Sequence, residues 1–577
     1  MGSQKVENQL NLALNASPRE REKSGELNVG YEIEENEWEL IIKYSGELSP
    51  VKNLAERVQE LLNEYAIVTI KESRIETLNQ LPQIEYIEKP KKLFFQLKNG
   101  KRVSCIPQVQ NTEINLTGKG TVIGIVDSGI DYTLPQFQNE DGTTRIRFLW
   151  DQSLEPQREE KTPDIYQQGV EYTSSEINKG LEITDENERR NIIRSQDTSG
   201  HGTAVTGIAA GSKRQTGVAP ESELIIVKMG NARQGRFPRT TQLMLGIDYI
   251  IRKAQEMEKP VAINISIGNT YGDHQGTSLL ERYIDDVSNI WKTCICVGMG
   301  NEGTSAGHTS GIVTADEELN IEVAVQERQA AFSVQLWKSY VDVMEILLVS
   351  PAGRRIGPVQ EILGSQRFRV ENTEVLLYYG EPSPYSVTQE IYFDFLPVND
   401  YVDSGVWQVV LVPRKIVDGR FEMWLPAETA VNRGTAFLVP KEYGSVTIPA
   451  TAEKVISVGA YDSLTFAYAD FSGRGFEQKA GVYQKPDLVA PGVDIVTMAV
   501  GGGNTTVSGT SFATPFVTGS AALLMEWGIV RGNDPYLYGE KIKAYLRRGA
   551  RPLPGFTQYP NALVGYGALC VRDSLPI

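Results

Sequence analysis

Three short segments, far apart in the chain, carry side chains that together could cleave an acyl bond. Gly509-Thr510-Ser511-Phe512-Ala513-Thr514-Pro515 sets a serine between a Gly-rich loop and an apolar run, Phe512 to Leu524, with helical spacing. The glycine allows a tight turn and close approach of a substrate. At a helix start, Ser511 would also meet unpaired amides and the positive end of the helix dipole. A serine hydroxyl is a weak nucleophile unless a base takes its proton and a third group orients that base. The chain has only three histidines. His201, in Ser199-Gly200-His201-Gly202-Thr203-Ala204-Val205, opens a small-residue helix between two glycines, whereas His274 and His308 lie in polar stretches that read as loops. For the carboxylate, the apolar run Thr121 to Val126 ends in Asp127-Ser128-Gly129. This is the pattern of a buried parallel strand whose carboxyl end faces a ligand crevice.

The elements that must position these groups follow from periodicity. Strand-like runs at Thr121 to Val126, Glu223 to Met229, Val261 to Gly268, Thr293 to Met299 and Val455 to Tyr461 alternate with helical stretches, Thr240 to Met257 and Ser278 to Trp291. Such alternation predicts an α/β fold, a doubly wound parallel sheet with helices on both faces. The charged stretch Asp151 to Ser195 reads as a surface loop with some helix. From about 315 to 438 the rhythm changes to short, aromatic-rich alternating strands (Phe332 to Trp337, Glu374 to Tyr379, Glu390 to Phe395, Val406 to Val412, Phe421 to Leu425) separated by Gly, Pro and Asp turns. That predicts an inserted all-β sandwich or jelly roll. Buried aromatics would make it a brace, an exposed aromatic row a binding face. Ahead of Asp127, residues 36 to 95 read as a small α+β unit. Its elements are a strand Trp38 to Tyr44, a helix Val51 to Tyr65, a strand Ala66 to Ile70, a short helix Arg74 to Leu81 and a strand Ile84 to Ile87. An extended apolar tail, Lys91 to Leu97, follows.

Composition bounds the function. A chain of 577 residues exceeds one compact domain. A net charge of −16 with no basic block argues against a nucleic-acid partner. No apolar run approaches the ~20 residues that span a membrane. Met1 to Asn28 lacks the apolar core of a signal peptide, which implies an intracellular compartment or export by a non-standard route. Of the four cysteines, Cys294 and Cys296 share one face of a buried strand and read as packing, while Cys105 and Cys570 stand isolated. No disulfide framework is expected. The acids Glu140, Asp141 and those near Asp151 have no metal-loop spacing and read as solvated surface, so neither a metal nor a cofactor is required.

Together the motifs carry a resemblance. The chain order Asp, His, Ser, with DSGID, GHGTAV, GTSFATP and KPDLVAPG at Lys485 to Gly492, resembles the subtilisin-like serine proteases. The resemblance implies that Ser511 attacks a peptide carbonyl, His201 carries its proton to the leaving amine, and Asp127 orients the imidazole. Val297-Gly298-Met299-Gly300-Asn301-Glu302-Gly303 is similar to the segment whose Asn completes the oxyanion hole, so Asn301 and the Ser511 N–H would share that role. It further implies that Ser266, Ile267 and Gly268, with Gly300, line the primary specificity pocket, and that the loop Gly230 to Arg239, containing Gly235, forms the opposite rim. A histidine of ordinary pKa, ~6.5, would give activity rising through roughly pH 6 to 7.5. The N-terminal unit stands where this family carries an inhibitory propeptide, the alternative being a substrate-recruiting domain. The expected organisation is therefore a propeptide at 1–96, a catalytic domain at 97–314 and 439–577, and the β insertion at 315–438. Self-cleavage is expected near Gln96 and Leu97, within 93 to 105.

A narrower resemblance covers nearly the whole chain. YIEKPKKL, DSGIDYTLPQF, RFLWDQS, the β insertion and the ending GYGALCVRDSLPI are together similar to the Csp subtilases of clostridial spores. That family's active members mature by self-cleavage, keep the propeptide bound and process the zymogen of a cortex-degrading hydrolase during germination. Some relatives have lost triad residues and act as sensors. This sequence keeps all three, which implies an active serine endopeptidase, and without a signal peptide or membrane segment a cytoplasmic or spore-associated one is expected. Its partners would be protein or peptide substrates and its own propeptide, with no nucleic acid or membrane. The alternatives are a sensor or scaffold held closed by its propeptide, or a degradative subtilase unrelated to spores.

Overall fold

The computed structural model describes residues 5–16, 30–32, 35–61, 64–90, 96–110, 113–157, 160–212, 217–230, 238–362, 364–477 and 485–576. The chain divides into two compact units, Met1–Phe95 and Gln96–Ile577. In the first, Glu37–Tyr44 alternates buried and more exposed side chains, and pairs antiparallel with Tyr65–Lys71 and Ile84–Glu88. Trp38, Leu40 and Ile42 meet Val68 and Ile70 in a core closed by Ile75 and Leu78 of the helix Ile75–Gln80. The helix expected over Val51 to Tyr65 does not form. Instead a turn of helix, Ser49–Lys52, leads into a strand, Arg57–Leu61, that pairs with Tyr65–Lys71.

The second unit is built on an eight-stranded sheet. In chain order its strands are β1 (Val122–Asp127), β2 (Ile146–Asp151), β3 (Val170–Thr173), β4 (Glu223–Lys228), β5 (Val261–Ile265), β6 (Thr293–Gly298), β7 (Ile456–Tyr461) and β8 (Leu488–Pro491). The spatial order is β8-β7-β6-β5-β1-β4-β2-β3. All neighbours are parallel except β2 and β3. β1 is buried on both faces, which is why it reads as an unbroken apolar run. Ile123 and Ile125 face a core shared with the helices α1 (His201–Ala210) and α3 (Thr510–Met525). Val122 and Val126 face the opposite core, shared with α2 (Thr240–Glu256). The fold is thus the doubly wound parallel sheet the alternation predicts. The stretch Asp151 to Ser195 does more than loop over the surface. It contributes β3 as an added antiparallel edge, then the helices Ser174–Leu181 and Glu186–Ile192.

The insertion forms two antiparallel sheets of six and five strands. Their facing sides bury Phe332, Val334, Phe393, Phe395, Trp407 and Leu411 in one core, with Phe332 stacked on Phe395 at 4.6 Å. The first strand of the larger sheet, His308–Ile312, lies ahead of residue 315.

Three further expectations are corrected. Gln96 and Leu97 begin a helix, Gln96–Val103, instead of continuing an extended tail, while residues 91–95 lie outside the described residues. A glycine in that helix, Gly100, lies so close to the Phe516 ring that a Cβ there would sit 2.7 Å from it, so the helix packs directly on α3. Cys105 and Cys570 are joined by a disulfide across 465 positions of sequence, which no local pattern reveals. Finally, Thr510–Val530 is long and apolar enough to cross a membrane by length and composition, yet it is mostly buried inside the second unit.

Candidate active site

The three sequence segments meet beside the carboxyl ends of the central parallel strands. Asp127 is the last residue of β1 and is 2 % exposed. Its Oδ1 accepts from the Ser128 N–H at 2.7 Å and is 2.7 Å from His201 Nδ1. His201 is the first residue of α1. The start of α1 lies against the loop after β1 because Gly202 has no side chain: a Cβ there would stand 2.2 Å from the Gly129 carbonyl oxygen. His274 and His308 are both buried and lie elsewhere, stacked on the Trp424 ring. Burial first, against hydrogen bonds to two carbonyls, pushes the His274 pKa down to about 4.

A buried carboxylate that the motif reading missed ties this pair together. Asp197 Oδ1 accepts from Ser128 Oγ at 2.8 Å and Gly200 N at 2.9 Å. Its Oδ2 accepts from Thr203 N and Oγ1 at 2.9 and 2.7 Å. Ser128 Oγ in turn accepts from Gly202 N at 2.9 Å. Asp197 thereby holds the loop after Asp127 and the first turn of α1 to one another. Burial alone would lower the His201 pKa, but the charge of Asp127, the hydrogen bond to it and the charge of Asp197 together raise it above the ordinary value. The signal that could have found Asp197 is an acid four residues before a candidate base.

Ser511 stands second in α3, after Gly509, whose φ of 147° suits glycine. The ring of the next residue, Phe512, lies 5.2 Å from the His201 ring, so the serine and histidine helices start side by side. No hydrogen bond joins Ser511 to His201 in this structure. Ser511 Oγ donates instead to the Ser266 carbonyl at 3.0 Å, and Ser266 Oγ donates to the Ser511 carbonyl at 2.9 Å. The second bond has a cause in sequence. Pro515, inside α3, lacks the N–H that would otherwise reach back four residues to the Ser511 carbonyl. Ser266 is fixed from behind by Asn264 Nδ2, which donates to its Oγ at 2.9 Å, while Asn264 Oδ1 accepts from Thr518 Oγ1 of α3 at 3.0 Å.

Asn301 is exposed beside this turn. Its Oδ1 accepts from Thr510 N at 3.0 Å and Thr510 Oγ1 at 3.2 Å. A backbone N–H can only donate, so the side-chain amide is oriented with its own N–H groups left for another acceptor. Gly268 and Gly300 converge on a residue not singled out in sequence, Thr447. A Cβ on Gly268 would lie 2.6 Å from Thr447 Oγ1, and one on Gly300 would lie 2.4 Å from its Cγ2. Ile267 is partly buried against the core beneath α2. β5 itself stops at Ile265, so Ser266 to Gly268 run on past the strand expected to include them. Gly235 lies outside the described residues. Among the described residues no group of three or more His, Cys, Asp or Glu side chains is gathered to hold a metal ion.

Comparison with known proteins identifies the family. Residues 4–91 match the Csp protease B prodomain, and residues 118–330 and 439–567 match the subtilase family. Among solved structures, the Clostridium perfringens CspB protease is similar at 36 % identity and a TM-score of 0.76, over 82 % of this chain and 96 % of that one. Among curated proteins, the PII-type proteinase of Lactococcus lactis subsp. cremoris is 24 % identical over 473 residues, 74 % of this chain and 23 % of that protein. Serine protease AprX of Bacillus subtilis is 33 % identical over 154 residues, 23 % of this chain and 32 % of that protein. The chain thus spans about a quarter of the length of the lactococcal proteinase. Matched across both parts of its parallel-sheet unit, the chain belongs to the subtilase family of serine proteases and carries a Csp-type prodomain ahead of it.

Proposed function

We propose that the protein is a serine endopeptidase in which Ser511 is the nucleophile, His201 the general base and Asp127 the carboxylate that orients and charge-stabilises the imidazole. The observation that carries the reading is the 2.7 Å contact between His201 Nδ1 and the buried Asp127, at the start of the helix beside Ser511. With Nδ1 bound to the carboxylate, Nε2 is the nitrogen that takes the serine proton. The tetrahedral oxyanion is met by the Ser511 N–H and by Asn301, whose orientation Thr510 fixes. An extended substrate pairs with the backbone of Ser266 to Gly268, with Gly300 and Thr447 in the wall of its pocket and Gly235 on the far rim. The N–H of the substrate residue cleaved after competes for the Ser266 carbonyl that Ser511 Oγ now occupies. Its arrival frees the hydroxyl to turn toward His201.

The match of residues 4–91 to a Csp protease B prodomain supports an inhibitory propeptide at 1–96, ahead of a catalytic domain at 97–314 and 439–577 that carries the β insertion at 315–438. Maturation is by one self-cleavage near Gln96 and Leu97. The bond is cut while extended, and the helix Gln96–Val103 forms once the new terminus is free. The likeness to the CspB protease supports a spore role in which the retained-propeptide enzyme activates a cortex-hydrolase zymogen during germination. Three measurements test this reading. A serine-directed fluorophosphonate should label Ser511, N-terminal sequencing should find a second terminus between 93 and 105, and Ser511→Ala should abolish both that terminus and the cleavage of an unfolded protein. Absence of labelling after removal of residues 1 to 96 would favour a non-catalytic sensor.

A further inference from the structure

The inserted β sandwich does more than bury its aromatics. Where its larger sheet meets the catalytic unit, a cavity of about 630 Å³ opens to solvent, lined by Tyr271 and Asp273 on one side and Trp337, Tyr385, Glu390 and Tyr392 on the other. Trp337 and Glu390 are paired neighbours on adjacent strands, Phe332–Ser339 and Thr388–Pro397. Tyr271 and Tyr385 are each about half exposed, at 47 % and 48 %. Among the described residues the Glu390 carboxylate has no hydrogen bond and no ion pair. The buried Asp273 accepts from Gln275 N and Ser386 Oγ but has no cationic partner among the described residues. Burial, and then the charge of Asp273, push the Glu390 carboxyl up to about 7, as expected of an acid with no counter-ion. The Arg282 guanidinium already lies 5.3 Å from the centroid of the Tyr385 ring, so these walls accept a cation on an aromatic face.

The position of the cavity says what would fill it. Tyr271 and Gly272 follow Gly268 by three and four residues, which is at most about 15 Å of chain. The segment Ser266 to Gly268 leads away from Ser511, toward the cavity. We propose that this groove is a distal subsite for a lysine or arginine side chain of the protein substrate, about five residues from the scissile bond. The proposal rests on the substrate path given above. The cationic head meets Glu390 and Asp273, and its aliphatic stem lies against Tyr271, Trp337 and Tyr392. The insertion thereby becomes part of substrate selection, which a brace alone would not require.

The test uses the full chain as purified and a set of peptides cut at one common bond. Each carries a single lysine in place of alanine at the fourth to eighth residue on either side of that bond. At one of these positions lysine should raise kcat/KM about tenfold, through KM and with kcat unchanged. Glu390→Gln should erase the gain, and Glu390→Lys should transfer it to a glutamate at the same position. Equal kcat/KM for all peptides, or a lysine preference that survives both variants, overturns the proposal. If no peptide is cut, the protease reading fails separately. Fluorescence anisotropy of a labelled lysine peptide on Ser511→Ala then decides the groove, binding lost in the Glu390→Lys double variant supporting it and equal binding overturning it.

Discussion

Ser266 and Ser511 exchange two hydrogen bonds: the hydroxyl of each donates to the carbonyl of the other, at 2.9 and 3.0 Å. One bond exists because Pro515 leaves the Ser511 carbonyl without its helical donor. The other parks the hydroxyl of Ser511, the proposed nucleophile, on an acceptor that a substrate on the proposed path would claim. The pair therefore couples occupation of the substrate path to the freedom of the Ser511 hydroxyl.

This coupling predicts that the substrate's own amide contributes to kcat. Replacing the N–H of the residue cleaved after by an ester oxygen removes the group that competes for Ser266. The expected loss is about tenfold or more in kcat/KM, matching a lost buried hydrogen bond of about 1 to 3 kcal/mol. Part of it should fall on kcat. An ester analogue with unchanged kcat would show that Ser511 leaves Ser266 without help.

Asp197 supports a prediction with a pH signature. Its charge is among the causes that raise the His201 pKa, and a histidine must be neutral to act as base. If His201 is the base, the rate should rise as pH passes upward through its pKa, and the raised value shifts that limb to higher pH than an ordinary histidine would give. Asp197→Asn removes the charge, so the limb should shift toward lower pH. It also surrenders part of the acceptor capacity now taken by Ser128, Gly200 and Thr203, so kcat/KM on the plateau should fall about tenfold. A merely structural role would lower the plateau without moving the limb. The pH profile of kcat/KM separates the two.

What could be read from sequence, and what could not, divides along local and tertiary lines. Asp127, His201 and Ser511 are legible because a buried parallel strand, a glycine-flanked helix start and a Gly-to-helix turn each have a local pattern. The same holds for the strands of the insertion, whose alternation matches the sandwich closely. The stretch 51 to 65 misleads because Val51, Leu54, Ala55 and Val58 fall at helical spacing, while the hairpin partner Tyr65–Lys71 claims Arg57–Leu61 for the sheet. Thr447 and Asp197 owe their roles to backbones that approach only once folded. The Cys105–Cys570 bond has no local signal at all.

That disulfide gives a stability prediction. It joins two cysteines that are both nearly fully buried, and it closes almost the whole catalytic unit into one loop. Replacing both cysteines by serine should cost about 2 to 5 kcal/mol, read as a lower urea midpoint with an active fold retained. The wild type in dithiothreitol should approach the variant, and an unchanged midpoint in both would mean the bond does not form in solution.

A buried charge cluster behind the sheet gives a larger effect. Asp487, from the KPDLVAPG segment, is 0 % exposed and takes hydrogen bonds from Ser457 N at 2.7 Å and Arg547 Nε at 2.7 Å, with Lys543 Nζ at 3.4 Å and Lys485 Nζ at 3.7 Å. Burial alone would raise its pKa, but Lys543, Lys485 and Arg547 hold it well below the usual carboxylate range. Burial is also the first cause that pulls Lys485 down to about 7. With a depressed folded pKa, the Asp487 contribution is present above its unfolded value, near 4, and is lost as pH falls through the folded one. Asp487→Asn should therefore destabilise the protein by about 3 to 5 kcal/mol at pH 7, because the buried Lys485 and Lys543 and the partly buried Arg547 lose the carboxylate packed against all three. A midpoint shift below about 1 kcal/mol would mean that the cations shed their charge at little expense.

Asn301 allows the oxyanion role to be isolated from folding. Its Oδ1 is needed by Thr510 N, so Asn301→Ala would disturb the turn as well as remove a donor. Asn301→Asp keeps an acceptor for Thr510 and removes only the N–H that would face the oxyanion, adding a negative charge in its place. We expect kcat to fall by about a hundred- to a thousandfold, the cost of losing one such donor, with KM and the thermal midpoint close to wild type. Chemical labelling should separate this from loss of the nucleophile. Ser511 in Asn301→Asp should still react with a fluorophosphonate, more slowly, whereas Ser511→Ala should not react at all. A variant that turned over substrate as fast as the wild type would place the oxyanion elsewhere, and with it the orientation of the whole substrate path past Ser266.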